Sequence, residues 1–255
     1  MRIDVVTIFP QMFASPLEYG TLRRARDAGL VEILCHDLRD YTTDRHRVVD
    51  DTPYGGGPGM VMKPEPFFHA VEAIVATSPP PGPERIVITS PRGRPFDQAI
   101  ARELAAQPQI VLLCGRYEGV DERVHEHLVT DEISLGDFVL SGGELAALCI
   151  IDAVARLVPG AVGKEASLAE ESFNEALLEY PQYTRPANFR GWEVPAVLLS
   201  GNHEEVRRWR RLQSLLLTMA RRPDLFRQHP LTDEDRELLG WQAPRRRSRR
   251  SATSP

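Results

Sequence analysis

Hydrophobic and polar positions along the first half of the chain follow two rhythms in turn, an alternation of period two and a stripe of period 3.6. Residues 2–9 (RIDVVTIF) and 31–38 (VEILCHDL) read as strands, and between them 13–29 (FASPLEYGTLRRARDAG) reads as a helix closed by its glycine. After a loop come a helix at 66–76 (PFFHAVEAIVA), a strand at 85–90 (RIVITS), a helix at 97–107 (DQAIARELAAQ) and a strand at 109–115 (QIVLLCG). Strand and helix in this order predict an α/β domain with a mostly parallel sheet. Ligands of such sheets sit beyond the carboxyl ends of the strands. That rule selects TSPRG (89–93), GRYEG (115–119) and SLGDFVLSGG (134–143), three glycine-bearing segments that converge on one pocket.

The second half reads differently. Residues 161–180 are small, polar and acidic with weak patterning, and are expected to form a mobile linker. Beyond it, Asn202 is a good helix N-cap with Glu205 three residues on, and the pattern runs to Arg221 and Arg222 before Pro223 stops it. Val206, Trp209, Leu212, Leu216 and Met219 recur at helical spacing and are expected to face the core, with Arg207, Arg208, Arg210 and Arg211 beside them. Trp209 reads as core in preference to a base-stacking platform. The predicted organisation is an α/β domain at 1–160, a linker at 161–180, a small mainly helical domain at 181–242 and a disordered basic tail at 243–255.

Composition, 42% hydrophobic and 26% charged, describes a soluble globular chain, and no apolar run is long enough to span a bilayer. A cytoplasmic location without a leader is the expectation. Cys35, Cys114 and Cys149 are odd in number, far apart and in apolar settings, so buried free thiols are expected in place of disulfides or a zinc site. The net charge of −5 hides an asymmetry. Residues 181–255 hold 15 Arg against 8 acidic residues (+7), which leaves −12 for the rest. A polyanionic partner therefore belongs with the second half. The 134–143 stretch has no Lys and no phosphate-loop pattern, so its glycines call for a different ligand.

Five motifs in order, PYGGGPGMVM (53–62), CGRYEGVDERV (114–124), SLGDFVLSGGEL (134–145), YPQYTRP (180–186) and VLLSGNHEEVRRWR (197–210), resemble the bacterial tRNA (guanine-N1)-methyltransferases over nearly the whole chain. The resemblance implies a SPOUT-type fold: a mostly parallel α/β sheet with a carboxyl-terminal trefoil knot, plus the small helical domain. It implies a homodimer with shared active sites, S-adenosylmethionine bent inside the knot, and methylation of N1 of the guanosine immediately 3′ of the anticodon, position 37 of tRNA. Physical priors alone argue against a knot, because threaded chains are rare.

By the same resemblance, backbone from Leu135 through Gly136, Asp137, Phe138 and Val139 to Leu140, together with Gly115, contacts the methyl donor. Thr89, Ser90, Pro91, Gly93, Tyr117, Glu118, Gly142 and Gly143 line the knot. An adenine edge and a methionine zwitterion are suited to close backbone amides and carbonyls. Read without the resemblance, Gly142 and Gly143 are a turn and a helix start. The N1 of guanine carries a proton at neutral pH, so a base must remove it, and charge then grows toward O6. Arg156 matches the family's catalytic arginine; its plain alternative is a cation at a helix C-terminus. Glu171 falls where the family carries Asp, one methylene longer, and is the candidate base, with Glu170 the next choice.

Asp50, Tyr54 and the Gly55–Gly59 loop are the positions implied for holding the flipped guanine. Arg185, Asn202, Arg207, Arg208 and Arg211 are those implied for the anticodon branch. A SPOUT enzyme acting on a ribose hydroxyl would share the knot, and a noncatalytic RNA-binding module would share the basic helix. His125 and His127 read as exposed residues of a charged helix in preference to a metal pair. The family's reaction depends on Mg²⁺, for which no ligand set is legible.

Overall fold

The computed structural model describes residues 1–78, 85–162, 171–173 and 175–240. The chain divides into two compact units, residues 1–165 and 166–255. In the first, β1 (Arg2–Thr7), β2 (Glu32–Asp37), β5 (Arg85–Pro95), β6 (Gln109–Cys114) and β7 (Asp131–Ser134) form one sheet in the order β2-β1-β6-β5-β7, every pair parallel. β3 (Asp50–Asp51) and β4 (Val61–Met62) make a separate antiparallel pair.

A parallel strand covered on both faces reads as an unbroken apolar run. QIVLLC of β6 is such a run, and all six residues are buried. Side chains alternate between faces. Ile110, Leu112 and Cys114 pack with Leu22 and Ala25 of α2 (Gly20–Asp27), Leu104 of α4 (Gln98–Ala105) and Ile150 and Val154 of α6 (Glu144–Ala155). Val111 and Leu113 face Phe67, Val71 and Ile74 of α3 (Pro64–Thr77) and Val124 of α5 (Glu122–His127). The mostly parallel α/β sheet expected from the sequence is thus present.

Local chemistry sets the boundaries. The single helix expected over 13–29 is broken at Pro16 into α1 (Gln11–Ala14), a short turn at Pro16–Glu18 and α2. Gly29, at φ +69°, then lets Leu30 N–H reach back to Ala25. Asp97 caps α4 by accepting from Ile100 N–H at 2.9 Å. The strand expected over 85–90 runs on to Pro95, because the chain bulges between Thr89 and Arg94 and then pairs with β7 again.

The second unit is built on α7 (His203–Arg221), whose N-cap Asn202 accepts from the Glu204 and Glu205 amides. Its buried face differs from the expected stripe: Ser214, Leu215 and Thr218 are buried, whereas Leu216 and Met219 are about two-fifths exposed. The reason is hydrogen bonding. Leu178 N–H donates to Thr218 Oγ1 at 2.8 Å, and Ser214 Oγ donates to Leu178 O, which seats residues 177–178 on that face. Short helices α8 (Pro223–Gln228) and α9 (Asp233–Leu238) follow, the latter opened by a capping box between Thr232 and Asp235. Asp235 is buried and pairs with Arg211 at 2.6 Å and with His229. Burial alone raises its carboxyl, but the bonds from Arg211 and Thr232 outweigh this and hold it well below the usual range. Glu170 and the 243–255 tail lie outside the described residues.

Candidate active site

The three glycine-bearing segments meet at the carboxyl ends of β5, β6 and β7 around a cavity of about 300 Å³. Close backbone approach builds it. Gly143 donates its N–H to Gly115 O at 2.9 Å, and a Cβ there would stand 2.1 Å from Thr89 Oγ1 and 3.0 Å from Cys114 Cα. Only glycine lets this segment cross the ends of two strands. Gly93 answers a different need, since its Cβ would meet the Glu132 carbonyl carbon at 2.5 Å where β5 bulges against β7.

Thr89, Ser90, Pro91, Gly115, Tyr117, Glu118, Leu135, Gly136, Phe138, Val139, Leu140, Gly142 and Gly143 all line this cavity; Gly93 and Asp137 are not among its walls. The rim is apolar and open, with Phe138 and Val139 more than half exposed. Tyr117 sits at φ +60°, a costly conformation for a side-chain-bearing residue and one that clusters at functional sites. The 53–62 and 114–124 motifs are tied together there. Glu118 N–H donates to Met60 O at 3.0 Å, Asp121 N–H to Met62 O at 3.0 Å, and Gly59 lies where any Cβ would strike the Glu118 side chain. Asp50 is half-buried in β3, and Tyr54 is fully exposed beside Gly55, Gly56 and Gly57, all at positive φ.

Sequence reasoning missed one polar centre of this site. Glu144, fully buried at the start of α6, accepts from Thr7 Oγ1 at 2.8 Å and from Arg116 Nε at 3.0 Å. Arg116 lines the cavity, stacks over the Phe9 ring at 4.7 Å and holds the Met62 sulfur with its backbone amide. The available signal was Arg116 itself, a charged residue directly after an apolar strand and inside a glycine motif.

Two expectations are corrected. Cys149 is exposed, while Cys35 is half-buried and Cys114 buried. Burial raises the Cys35 thiol to about 11 and Cys114 well above its ordinary value, so neither is a thiolate near neutral pH. His125 is mostly buried, with Nδ1 2.8 Å from Glu132, which also takes Arg92; only His127 is exposed. Among the described residues, no group of three or more His, Cys, Asp or Glu is placed to hold a metal ion.

Arg156 caps the C-terminus of α6 in the first unit and is half-buried. Glu171, in the second, is half-buried and lines a cleft of about 430 Å³ with Tyr180, His203, Arg207 and Arg210. Arg207 pairs with Glu204 and Glu234, Arg208 with Glu237, and Arg211 with Asp235 and Glu175. Asn202 spends its side-chain oxygen on the cap, and Arg185 is exposed.

The family model described as "tRNA (Guanine-1)-methyltransferase TrmD" matches residues 1–228. A tRNA (guanine-N(1)-)-methyltransferase of Pelotomaculum thermopropionicum is 58% identical over 239 residues, 94% of this chain and 95% of its own length. One of Dehalococcoides mccartyi is 54% identical over 239 residues, 94% and 96% of the two chains. The crystal structure of a tRNA (m1G37) methyltransferase from Aquifex aeolicus superposes with a TM-score of 0.72 at 42% identity, covering 89% of this chain and 95% of that one.

Proposed function

The chain belongs to the tRNA (guanine-1)-methyltransferase family, and from that premise we propose how its residues divide the work. It is a methyltransferase that modifies N1 of guanosine 37 of tRNA. S-adenosylmethionine supplies an electrophilic methyl carbon on a sulfonium sulfur. The cavity at the ends of β5, β6 and β7 fits that group. Its volume, about 300 Å³, is at the lower bound of small-molecule sites, and its walls are backbone brought close by Gly143 and Gly115. Peptide groups there read the purine edge, while Leu135, Phe138 and Leu140 cover its faces.

The Glu171 carboxylate takes the N1 proton, which leaves the N1 lone pair free for the methyl group that bound S-adenosylmethionine would supply. Charge that grows on guanine O6 is met by the Arg156 guanidinium. The extra methylene of Glu171 relative to Asp displaces the carboxylate by about 1 Å if the backbone does not move, an error that costs on the order of 100-fold. Asp50, Tyr54 and the Gly55–Gly59 loop hold the flipped base, and the second unit grips the anticodon branch. In a homodimer, one subunit supplies Arg156 and its partner supplies Glu171, so a site needs both. No step is assigned to Mg²⁺. The location is cytoplasmic in this reading, in keeping with the lack, among the described residues, of any helix long and apolar enough to cross a membrane.

The observation that carries the cofactor assignment is Gly143, which has room for no side chain at the crossing of β5 and β6. The test is transfer from labelled S-adenosylmethionine to a tRNA transcript with guanosine at position 37, against one with adenosine there. Label on N1 of guanosine 37 alone is expected, and equal labelling of both transcripts contradicts the reading.

A further inference from the structure

His125 lines the methyl-donor cavity and has no part in the division of work above. It stands on α5, and its side chain is only 9% exposed. Its Nδ1 lies 2.8 Å from Glu132 Oε1 on β7. Glu132 is held in turn by Arg92, which donates from Nε to Oε2 at 3.0 Å and from Nη2 to Oε1 at 3.1 Å. Arg92 also forks onto Glu122 at 2.8 and 2.9 Å. One run of polar contacts thus ties α5 and β7 to the bulged segment of β5 and fixes the imidazole from one side.

That arrangement decides what the other ring nitrogen can do. Burial alone raises the Glu132 carboxyl, but the bonds from Arg92 and His125 outweigh it and hold the group below its ordinary value. An ionised carboxylate only accepts, so Nδ1 must carry a proton, and in the neutral imidazole Nε2 is left as an acceptor. Among the described residues, Nε2 has no hydrogen-bond partner. The two ring nitrogens diverge, so with Nδ1 turned to Glu132, Nε2 is the polar atom that this residue offers to the cavity. The charged neighbours at the start of α5 are occupied elsewhere, Asp121 with Arg123 and Glu122 with Arg92.

S-adenosylmethionine carries three kinds of hydrogen-bond donor. The purine amine is met by the peptide groups of residues 135–140, and the cationic α-ammonium is answered better by a carboxylate, which Glu118 brings to the same cavity. The ribose hydroxyls are the neutral donors that remain, and they suit a neutral imidazole. We propose that His125 Nε2 accepts a hydrogen bond from a ribose hydroxyl of S-adenosylmethionine, with Glu132 and Arg92 as the positioning residues behind it. The inference rests on the donor cavity assigned above and adds to it a residue that selects the ribose.

The test measures, by calorimetry, binding of S-adenosylhomocysteine and of its 2′-deoxy and 3′-deoxy forms to the full-length wild type and to His125→Phe. In wild type, removal of the bonded hydroxyl is expected to weaken binding about fivefold, the scale of one neutral hydrogen bond. The parent compound is expected to bind His125→Phe about fivefold more weakly than wild type, and loss of the same hydroxyl then has no further effect. A histidine that only supports the fold would weaken all three compounds alike and leave the deoxy penalty as in wild type, and that outcome overturns the proposal. A second readout needs no variant. In ¹⁵N spectra of wild type, the His125 Nε2 resonance is expected to move on saturation with S-adenosylhomocysteine while Nδ1 stays protonated, and an Nε2 resonance that does not move overturns the proposal. A wild type that binds none of the compounds removes the donor cavity and this contact together, whereas binding with equal deoxy penalties in both proteins removes the contact alone.

Discussion

A methyl group added at Gly143 has nowhere to go. Thr89 can turn its hydroxyl aside, but Cys114 Cα at 3.0 Å and Gly115 N at 3.2 Å are backbone. Gly143→Ala is therefore expected to lower stability by about 1–3 kcal/mol and to abolish S-adenosylmethionine binding, as read by urea unfolding and calorimetry. A wild-type unfolding midpoint contradicts the close approach. Asn202 makes the opposite kind of case, a residue with a functional expectation and a structural occupation. Its side-chain oxygen serves the Glu204 and Glu205 amides, so Asn202→Ala is expected to cost about 1 kcal/mol of stability. Loss of tRNA affinity with no loss of stability is the result that returns Asn202 to the RNA.

Among the elements, the second unit depends on a charge that its sequence does not advertise. Asp235 is buried against Arg211, and its carboxyl is held well below its ordinary value. A depressed carboxylate contributes stability above its unfolded value, roughly pH 4, and that stability is lost as pH falls through the lower folded value. Asp235→Asn is expected to cost about 1–3 kcal/mol at neutral pH, since it removes the buried partner of Arg211 and leaves it only the exposed Glu175, and to remove much of the acid-side slope. An unchanged pH profile of unfolding would sink that account. The apolar runs of β1, β5 and β6 and the ends of α7 were legible because burial on both faces and a capping residue leave direct marks. Polar β7 (DEIS) and the two-residue β3 and β4 were not, being too short to show a period. The buried face of α7 was misread because hydrophobicity alone favours Leu216 and Met219, whereas Ser214 and Thr218 are buried through bonds to Leu178.

For the molecule as a whole, the glycine motifs foretold the cavity because backbone crowding leaves no other residue possible. Arg116 and Glu144 were not foretold, since their partnership joins positions 28 apart in the chain through a tertiary contact. The chain methylates N1 of guanosine 37, and Glu171 is the proposed proton acceptor. The most direct measurement is single-turnover methyl transfer to a tRNA transcript by wild type, Glu171→Gln and Glu171→Asp, with S-adenosylmethionine affinity measured alongside. Gln is expected to lose about 100- to 10,000-fold in rate with donor affinity intact, and Asp to keep or raise the rate. A Gln variant as fast as wild type contradicts the Glu171 assignment.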